Sequence, residues 1–93
     1  MKSIIQTEKV CYCCGSHRDL ERHHIFGGPN RKLSEKYGLT VYLCHYCHNE
    51  PPNGVHHNAE MMQELRRRGQ IIAMEHYGWS VEDFRAIFGR SYV

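Results

Sequence analysis

Two C-x2-C motifs, one at Cys11 and Cys14 and the other at Cys44 and Cys47, constrain this chain more than any other feature. Each motif lets two thiolates face the same ion, and four thiolates complete a tetrahedral zinc site with no position left for a substrate. The N-terminus lacks the apolar stretch of an export signal, and the number of cysteines is odd, so we expect metal ligands rather than disulfides. The spacing therefore predicts a structural zinc on these four cysteines, with Cys13 as a poor chelating partner beside Cys14.

The length of 93 residues predicts a single domain with a thin core. Zinc would add stability that such a core lacks. No apolar run approaches the roughly 20 residues that a membrane span needs. We therefore expect an intracellular protein of the cytoplasm, without a membrane partner.

Hydrophobic patterns and turn residues predict a mixed α+β fold. Strands are predicted over residues 21–26 and 39–43, and the first ten residues are predicted to form a lead-in strand or a loose arm. Three helices are predicted from capping residues: 31–37 after Asn30, a long helix between Asn58 and Gly78, and a last helix from Ser80 to about Phe88. Gly69 lies on the apolar stripe of the long helix, so we expect the strands to pack closely there.

Positive charges form two local clusters, although the net charge is only +2. Arg31 and Lys32 make up one cluster with Lys36, and the run from Arg66 to Arg68 makes up the other. Such clusters can contact phosphates, or they can be solvated helix faces. We predict Arg31, Lys32, Arg66 and Arg67 as nucleic-acid contacts.

Histidines are the second chemical signal, with eight in the chain. A zinc on the two cysteine pairs would bring His23 and His24 near His48 and His56. Adjacent residues of a strand face opposite sides, so one histidine of the first pair is expected to bind an ion and the other to act as a free base. A divalent cation with a nearby imidazole suits phosphodiester hydrolysis. The remaining histidines, His17, His45 and His76, are interpreted as ordinary surface residues.

The order of these motifs resembles the zinc-braced branch of the HNH endonucleases. Cys11-x2-Cys14, His23-His24-Ile25 and Leu43-Cys44-x2-Cys47-His48 are similar to that family's C-x2-C, [D/H]-H-[I/V] and L-C-x2-C-[H/N]. The resemblance covers about residues 11–70 and implies a small ββα-metal domain, with residues 71–93 as a C-terminal helical extension. It is closest in kind to small phage-type members, which implies the cytoplasm of a bacterial or phage-infected cell.

The resemblance also implies roles for individual residues. His23 and His48 would bind the catalytic metal, Mg²⁺, Mn²⁺ or another divalent cation, and His24 would be the general base that activates water for cleavage of DNA. A further ligand is expected just before the long helix, where His56 is favoured over the adjacent His57. The family's middle Asn is missing from residues 39–41, and Asn30 or Asn49 are the candidates to replace it.

Two other functions fit the same motifs. A non-catalytic zinc-ribbon module would use the zinc and the basic clusters to bind nucleic acid without cutting it. A metal-storage or redox protein would use the cysteines and histidines alone.

Overall fold

A two-stranded antiparallel sheet forms the centre of the computed structural model, which describes residues 1–52 and 54–93. Strand β1 (Leu20–His24) pairs with strand β2 (Thr40–Cys44), in a register that sets Leu20 opposite Cys44 and His24 opposite Thr40. Helix α1 (Arg31–Tyr37) lies between the strands in sequence, preceded by a 3₁₀ turn over Gly28–Asn30. The α+β class predicted from the sequence is confirmed.

Three further helices follow the sheet. Helix α2 (His45–Asn49) begins directly after β2, and a 3₁₀ turn over Val55–His57 leads into the long helix α3 (Ala59–Tyr77). Helix α4 (Val81–Phe88) comes last. The sequence did not predict α2 or the 3₁₀ turn, because neither segment has a helical hydrophobic period.

Capping residues define the ends of the two longest helices, as predicted. The Asn58 side chain accepts a hydrogen bond from the Met61 amide at 3.1 Å, which satisfies a free N–H of the first turn of α3. Ser80 and Asp83 form a reciprocal capping box at the start of α4. Asn30 was expected to cap α1, but its side chain makes no hydrogen bond to the first turn of that helix. It donates instead to the carbonyl of Phe88 at 3.0 Å.

The first strand ends two residues earlier than predicted, and a buried hydroxyl accounts for the difference. Ser34 is fully buried in α1, where its Oγ accepts a hydrogen bond from the Phe26 amide and donates one to the Phe26 carbonyl. These two bonds take the place of the hydrogen bonds to β2 that Phe26 would have made in a longer strand. Phe26 can therefore leave the sheet with its backbone amide and carbonyl satisfied.

Helix α3 packs closely against the end of the first strand, as predicted from Gly69. A Cβ atom built at Gly69 would lie 3.0 Å from Cγ2 of Ile25, closer than ordinary van der Waals contact. The core around this contact holds Leu65 and Ala73 of α3 with Val41 and Leu43 of β2, all buried. Phe26 extends the core toward α4, with its ring 5.4 Å from that of Phe84.

The N-terminal ten residues attach to the outer edge of β2 without forming a strand, so the lead-in strand considered from the sequence is absent. Gln6 accepts a hydrogen bond from the Tyr42 amide at 2.8 Å, and Ser3 donates to the Thr40 carbonyl. Among the described residues, no helix has the length and apolar character that a bilayer crossing requires.

Candidate metal centres

Four cysteine sulfurs converge at one end of the sheet. The Sγ atoms of Cys11, Cys14, Cys44 and Cys47 all lie within 4.8 Å of one another. The 3.7 Å between the sulfurs of Cys14 and Cys44 matches the edge of about 3.8 Å of a zinc tetrahedron with Zn–S bonds of about 2.3 Å. The four cysteines could therefore hold a zinc ion. Cys13 is exposed and lies outside this cluster.

The backbone explains why the two cysteine pairs meet. The Gly15 amide donates to the Cys11 carbonyl at 2.8 Å, which closes the turn that holds Cys11 and Cys14. The Tyr12 amide donates to the Tyr42 carbonyl at 2.8 Å, which fixes that turn against β2. Cys44 is the last residue of β2, and α2 then brings Cys47 back one turn later. Local turn geometry and one strand pairing are therefore sufficient to assemble the cluster.

Within this cluster, the pKa of Cys11 is lowered and that of Cys47 is raised. Burial acts to raise the pKa of Cys11, but the backbone amides of Cys44 and Cys14 stabilise its thiolate and bring the pKa down to about 6. Burial raises the pKa of Cys47, as do its hydrogen bonds with Cys44 and Cys11. Four thiolates crowded together without a cation would repel one another. A divalent cation relieves that repulsion, so the donor set suits zinc.

A second cluster consists of three histidines from separate segments: His23 of β1, His48 of α2 and His56 of the 3₁₀ turn before α3. One ring nitrogen of each lies within 4.8 Å of the others. Nε2 of His48 is 3.2 Å from Nδ1 of His23 and 2.8 Å from Nε2 of His56. Two nitrogens bound to one cation at about 2.0–2.1 Å would be roughly 3 Å apart, so this cluster could also hold a metal ion.

His23 is buried at the base of the histidine cluster, with 2% of its surface exposed. Burial is the main cause that lowers its pKa to about 3, and the nearby His48 and His56 contribute to the same shift. The ring is therefore neutral at pH 7, which is the form that binds metal. Among the described residues its Nε2 has no hydrogen-bond partner, a cost that buried polar atoms rarely carry without a functional reason.

Glu21 orients His48, although it did not stand out in the sequence. The Glu21 Oε1 atom accepts hydrogen bonds from Nδ1 of His48 at 2.8 Å and from Nδ2 of Asn49 at 2.7 Å. A proton on Nδ1 leaves Nε2 with a free lone pair facing His23 and His56, as in the carboxylate–histidine–metal arrangement. These hydrogen bonds, chiefly that from His48, hold the pKa of Glu21 below its usual value. The strand period of two, which places Glu21 on the same face as His23, is the signal that could have found it.

Replacing Glu21 by Ala is expected to weaken divalent-metal binding at the histidine cluster about ten- to a hundredfold, because His48 loses the partner that fixes its tautomer. The measurement is a Co²⁺ titration of the zinc-loaded protein, followed by visible absorbance. Glu50→Ala is the matched control, since the Glu50 carboxylate binds His45 at 2.8 Å and, among the described residues, bonds no histidine of the cluster. Equal Co²⁺ affinities in the two variants would contradict this role for Glu21.

His24 lies on the other face of β1, away from the three clustered histidines. Its Nε2 donates to Oε2 of Glu35 at 2.8 Å, and Oε1 of the same carboxylate binds Arg22 at 2.9 Å. The His24 hydrogen bond is the main cause of the lowered pKa of Glu35. Because Nε2 carries the proton in this pair, Nδ1 of His24 is the nitrogen left with a lone pair.

The predicted nucleic-acid contacts occupy different environments. Arg31 and Lys32 are exposed on α1. Arg67 binds Glu64 at 3.3 Å, and so does the neighbouring Arg68 at 3.0 Å. Arg66 forms no salt bridge among the described residues, and its positive charge contributes to the lowered pKa values of His23 and His56. Of these basic residues, Arg66 is the one whose charge bears on the histidine cluster.

The remaining candidates are also placed. His57 is exposed and outside the cluster, so the structure brings His56 rather than His57 to His48. The Asn49 side chain bonds Glu21, the carboxylate that also binds His48 of the cluster. The Asn30 side chain bonds the carbonyl of Phe88, the last residue of α4. His17 and His76 are exposed, and the exposed His45 bonds Glu21 and Glu50.

Comparisons with protein-family models, with curated proteins and with solved structures find no match to this chain.

Proposed function

We propose that this protein is an HNH-type endonuclease that hydrolyses DNA phosphodiester bonds with a divalent cation held by His23, His48 and His56. The observation that carries the proposal is the convergence of three ring nitrogens from three chain segments, in a chain that also brings four cysteine sulfurs together. The motif order in the sequence gives independent support. In this proposal the zinc is structural, and the sheet with α3 forms the ββα-metal unit.

The histidine cluster suits phosphodiester hydrolysis for a chemical reason. A divalent cation bound there would supply charge that stabilises a phosphate oxygen and the departing 3′ oxygen. The chain's contribution is to hold three neutral imidazoles at fixed positions. Burial keeps His23 neutral, and Glu21 keeps the lone pair of His48 pointed into the cluster.

His24 is the proposed general base. Nε2 of His24 donates a hydrogen bond to the Glu35 carboxylate at 2.8 Å. Nδ1 is therefore the nitrogen that can take a proton from the attacking water. The carboxylate also holds the ring in one orientation and stabilises the imidazolium that forms. With 15% of its side chain exposed, His24 remains accessible to a substrate at the end of β1.

Arg66 is the proposed phosphate contact closest to the histidine cluster. Its guanidinium has no salt bridge among the described residues, and its Nε donates to the Ile25 carbonyl at 3.5 Å, next to His24 in sequence. An unpaired arginine beside a site for anionic substrate provides charge complementarity. Arg67 is a weaker candidate because Glu64 already neutralises it. Arg31 and Lys32 remain proposed contacts farther along a bound strand.

The alternative is a zinc-ribbon module that binds nucleic acid without cutting it. One observation favours it: the structure places His24 on the opposite face of β1 from His23, so the proposed base is not part of the histidine cluster. In that case the cysteines would stabilise the fold and the arginines would bind phosphates.

Plasmid nicking separates these two functions. Zinc-loaded protein with added Mg²⁺ or Mn²⁺ is expected to nick supercoiled DNA, and His24→Ala is expected to slow nicking about 10²- to 10⁴-fold, which is the usual contribution of a general base. His17→Ala, at an exposed histidine that belongs to neither cluster, is the matched control. DNA binding without nicking by the wild-type protein, in either metal, would reject the endonuclease and favour the binding module.

A further inference from the structure

We propose that Arg66 and Arg90, held over the ring of Tyr92, form a binding site for the phosphates of a nucleic-acid strand. The site rests on the proposed function and deepens it, because it adds the C-terminal tail to the surface that holds the substrate. Neither Arg90 nor Tyr92 stood out in the sequence.

The tail after α4 is anchored at a defined place, so Tyr92 is a fixed platform. The Tyr92 amide donates to Oε1 of Gln70 at 2.6 Å, and Nε2 of Gln70 donates to Oγ of Ser91 at 2.9 Å. Gln70 is completely buried in α3. The Tyr92 ring packs 5.4 Å from that of Phe26, which joins the tail to the hydrophobic core.

Two guanidinium groups share this platform. The Cζ atom of Arg66 lies 5.8 Å from the Tyr92 ring centroid, and that of Arg90 lies 4.8 Å from it. Each contact is a cation–π interaction, but two cations at one ring repel each other. A bound anion would relieve that repulsion, and the planar guanidinium fork matches a phosphate group well.

The lack of a carboxylate partner separates Arg66 and Arg90 from two other arginines, Arg68 of α3 and Arg85 of α4. Among the described residues neither Arg66 nor Arg90 has a carboxylate within 4 Å, whereas Arg68 binds Glu64 at 3.0 Å and Arg85 binds Glu82 at 2.8 Å. Arg68 and Arg85 are satisfied within the protein. Arg66 and Arg90 retain a charge that a ligand can neutralise.

The position of the pair fits a strand that passes the proposed cleavage site. Arg66 reaches the carbonyl of Ile25, two residues after His23 in sequence. Arg90 is exposed, with its Cζ atom 4.8 Å from the Tyr92 ring centroid. A nucleic-acid backbone carries a phosphate at every nucleotide, so it can occupy the site and the histidine cluster together.

The test measures binding of a short labelled DNA duplex to zinc-loaded protein without Mg²⁺ or Mn²⁺, at several salt concentrations. Loss of one phosphate contact lowers the slope of log affinity against log salt by about one. Arg66→Ala and Arg90→Ala are each expected to lower the slope by about that amount, and Arg90→Glu to weaken binding further. Arg68→Ala and Arg85→Ala are matched controls that should keep the wild-type slope.

An unchanged slope in both Arg90→Ala and Arg90→Glu would overturn the site and leave the arginines as anchors of the tail. Arg90 is exposed, so these variants are expected to fold, and a thermal melt checks that they do. The result is independent of cleavage. If plasmid nicking fails but the slopes change, the phosphate site stands and the endonuclease does not; if nicking succeeds and the slopes do not change, the reverse holds.

Discussion

Removing zinc with a strong chelator is expected to unfold this protein. Zinc binding to four thiolates contributes on the order of 10 kcal/mol, which is comparable to the whole stability of a small domain. Two of the four clustered cysteines, Cys11 and Cys44, are also buried members of the core, so zinc bound there would depend on the same residues as apolar packing. Loss of the ion would leave crowded thiols where the first turn meets β2. Circular dichroism before and after chelation, and after zinc is restored, measures the effect.

Substitutions of single cysteines provide the control for this prediction. Cys44→Ser removes one ligand at the end of β2 and is expected to abolish cooperative thermal unfolding. Cys13→Ser changes a neighbouring cysteine that is exposed and outside the cluster, and should melt like the wild type. A protein that keeps its helical signal and its melting transition after complete chelation would show that the cysteine cluster is not needed for folding.

Features that depend on short stretches of sequence could be predicted. The cysteine spacing predicted the four-sulfur cluster because each C-x2-C pair is assembled by its own turn, and a single strand pairing brings the two turns together. Asn58 and Ser80 predicted where α3 and α4 begin, since a cap acts within one helical turn. These interactions are local, so the sequence alone contains the information.

Features that depend on tertiary packing could not be predicted. The early end of β1 results from Ser34, a residue of α1 that reaches back to Phe26. Arg90 became notable only because Gln70 fixes the tail, so that Tyr92 lies within reach of the guanidinium groups of Arg66 and Arg90. Glu21 is an intermediate case, because the strand period gives its face but only the folded structure shows that His48 lies opposite.

Replacing His56 by Ala is expected to remove metal-dependent cleavage completely while the fold and the zinc are retained. In the proposed function His56 is one of only three protein ligands, and its Nε2 lies 2.8 Å from that of His48. Loss of a ligand should weaken binding of the second metal by more than the ten- to a hundredfold that loss of a carboxylate hydrogen-bonded to a ligand costs. Cleavage should then fall to the level seen without added cation. Plasmid nicking and a Co²⁺ titration measure the two effects.

His57→Ala is the closest control that the chain offers for this experiment. His57 is adjacent in sequence, equally exposed and part of the same 3₁₀ turn, but it lies outside the cluster. Both variants should show the wild-type melting temperature, because neither side chain is buried and the four cysteines are untouched. Only His56→Ala should lose the Co²⁺ signal and the nicking activity. Equal activity in the two variants would mean that the three-histidine cluster does not hold the catalytic metal, and the proposal of an endonuclease would lose the observation on which it rests.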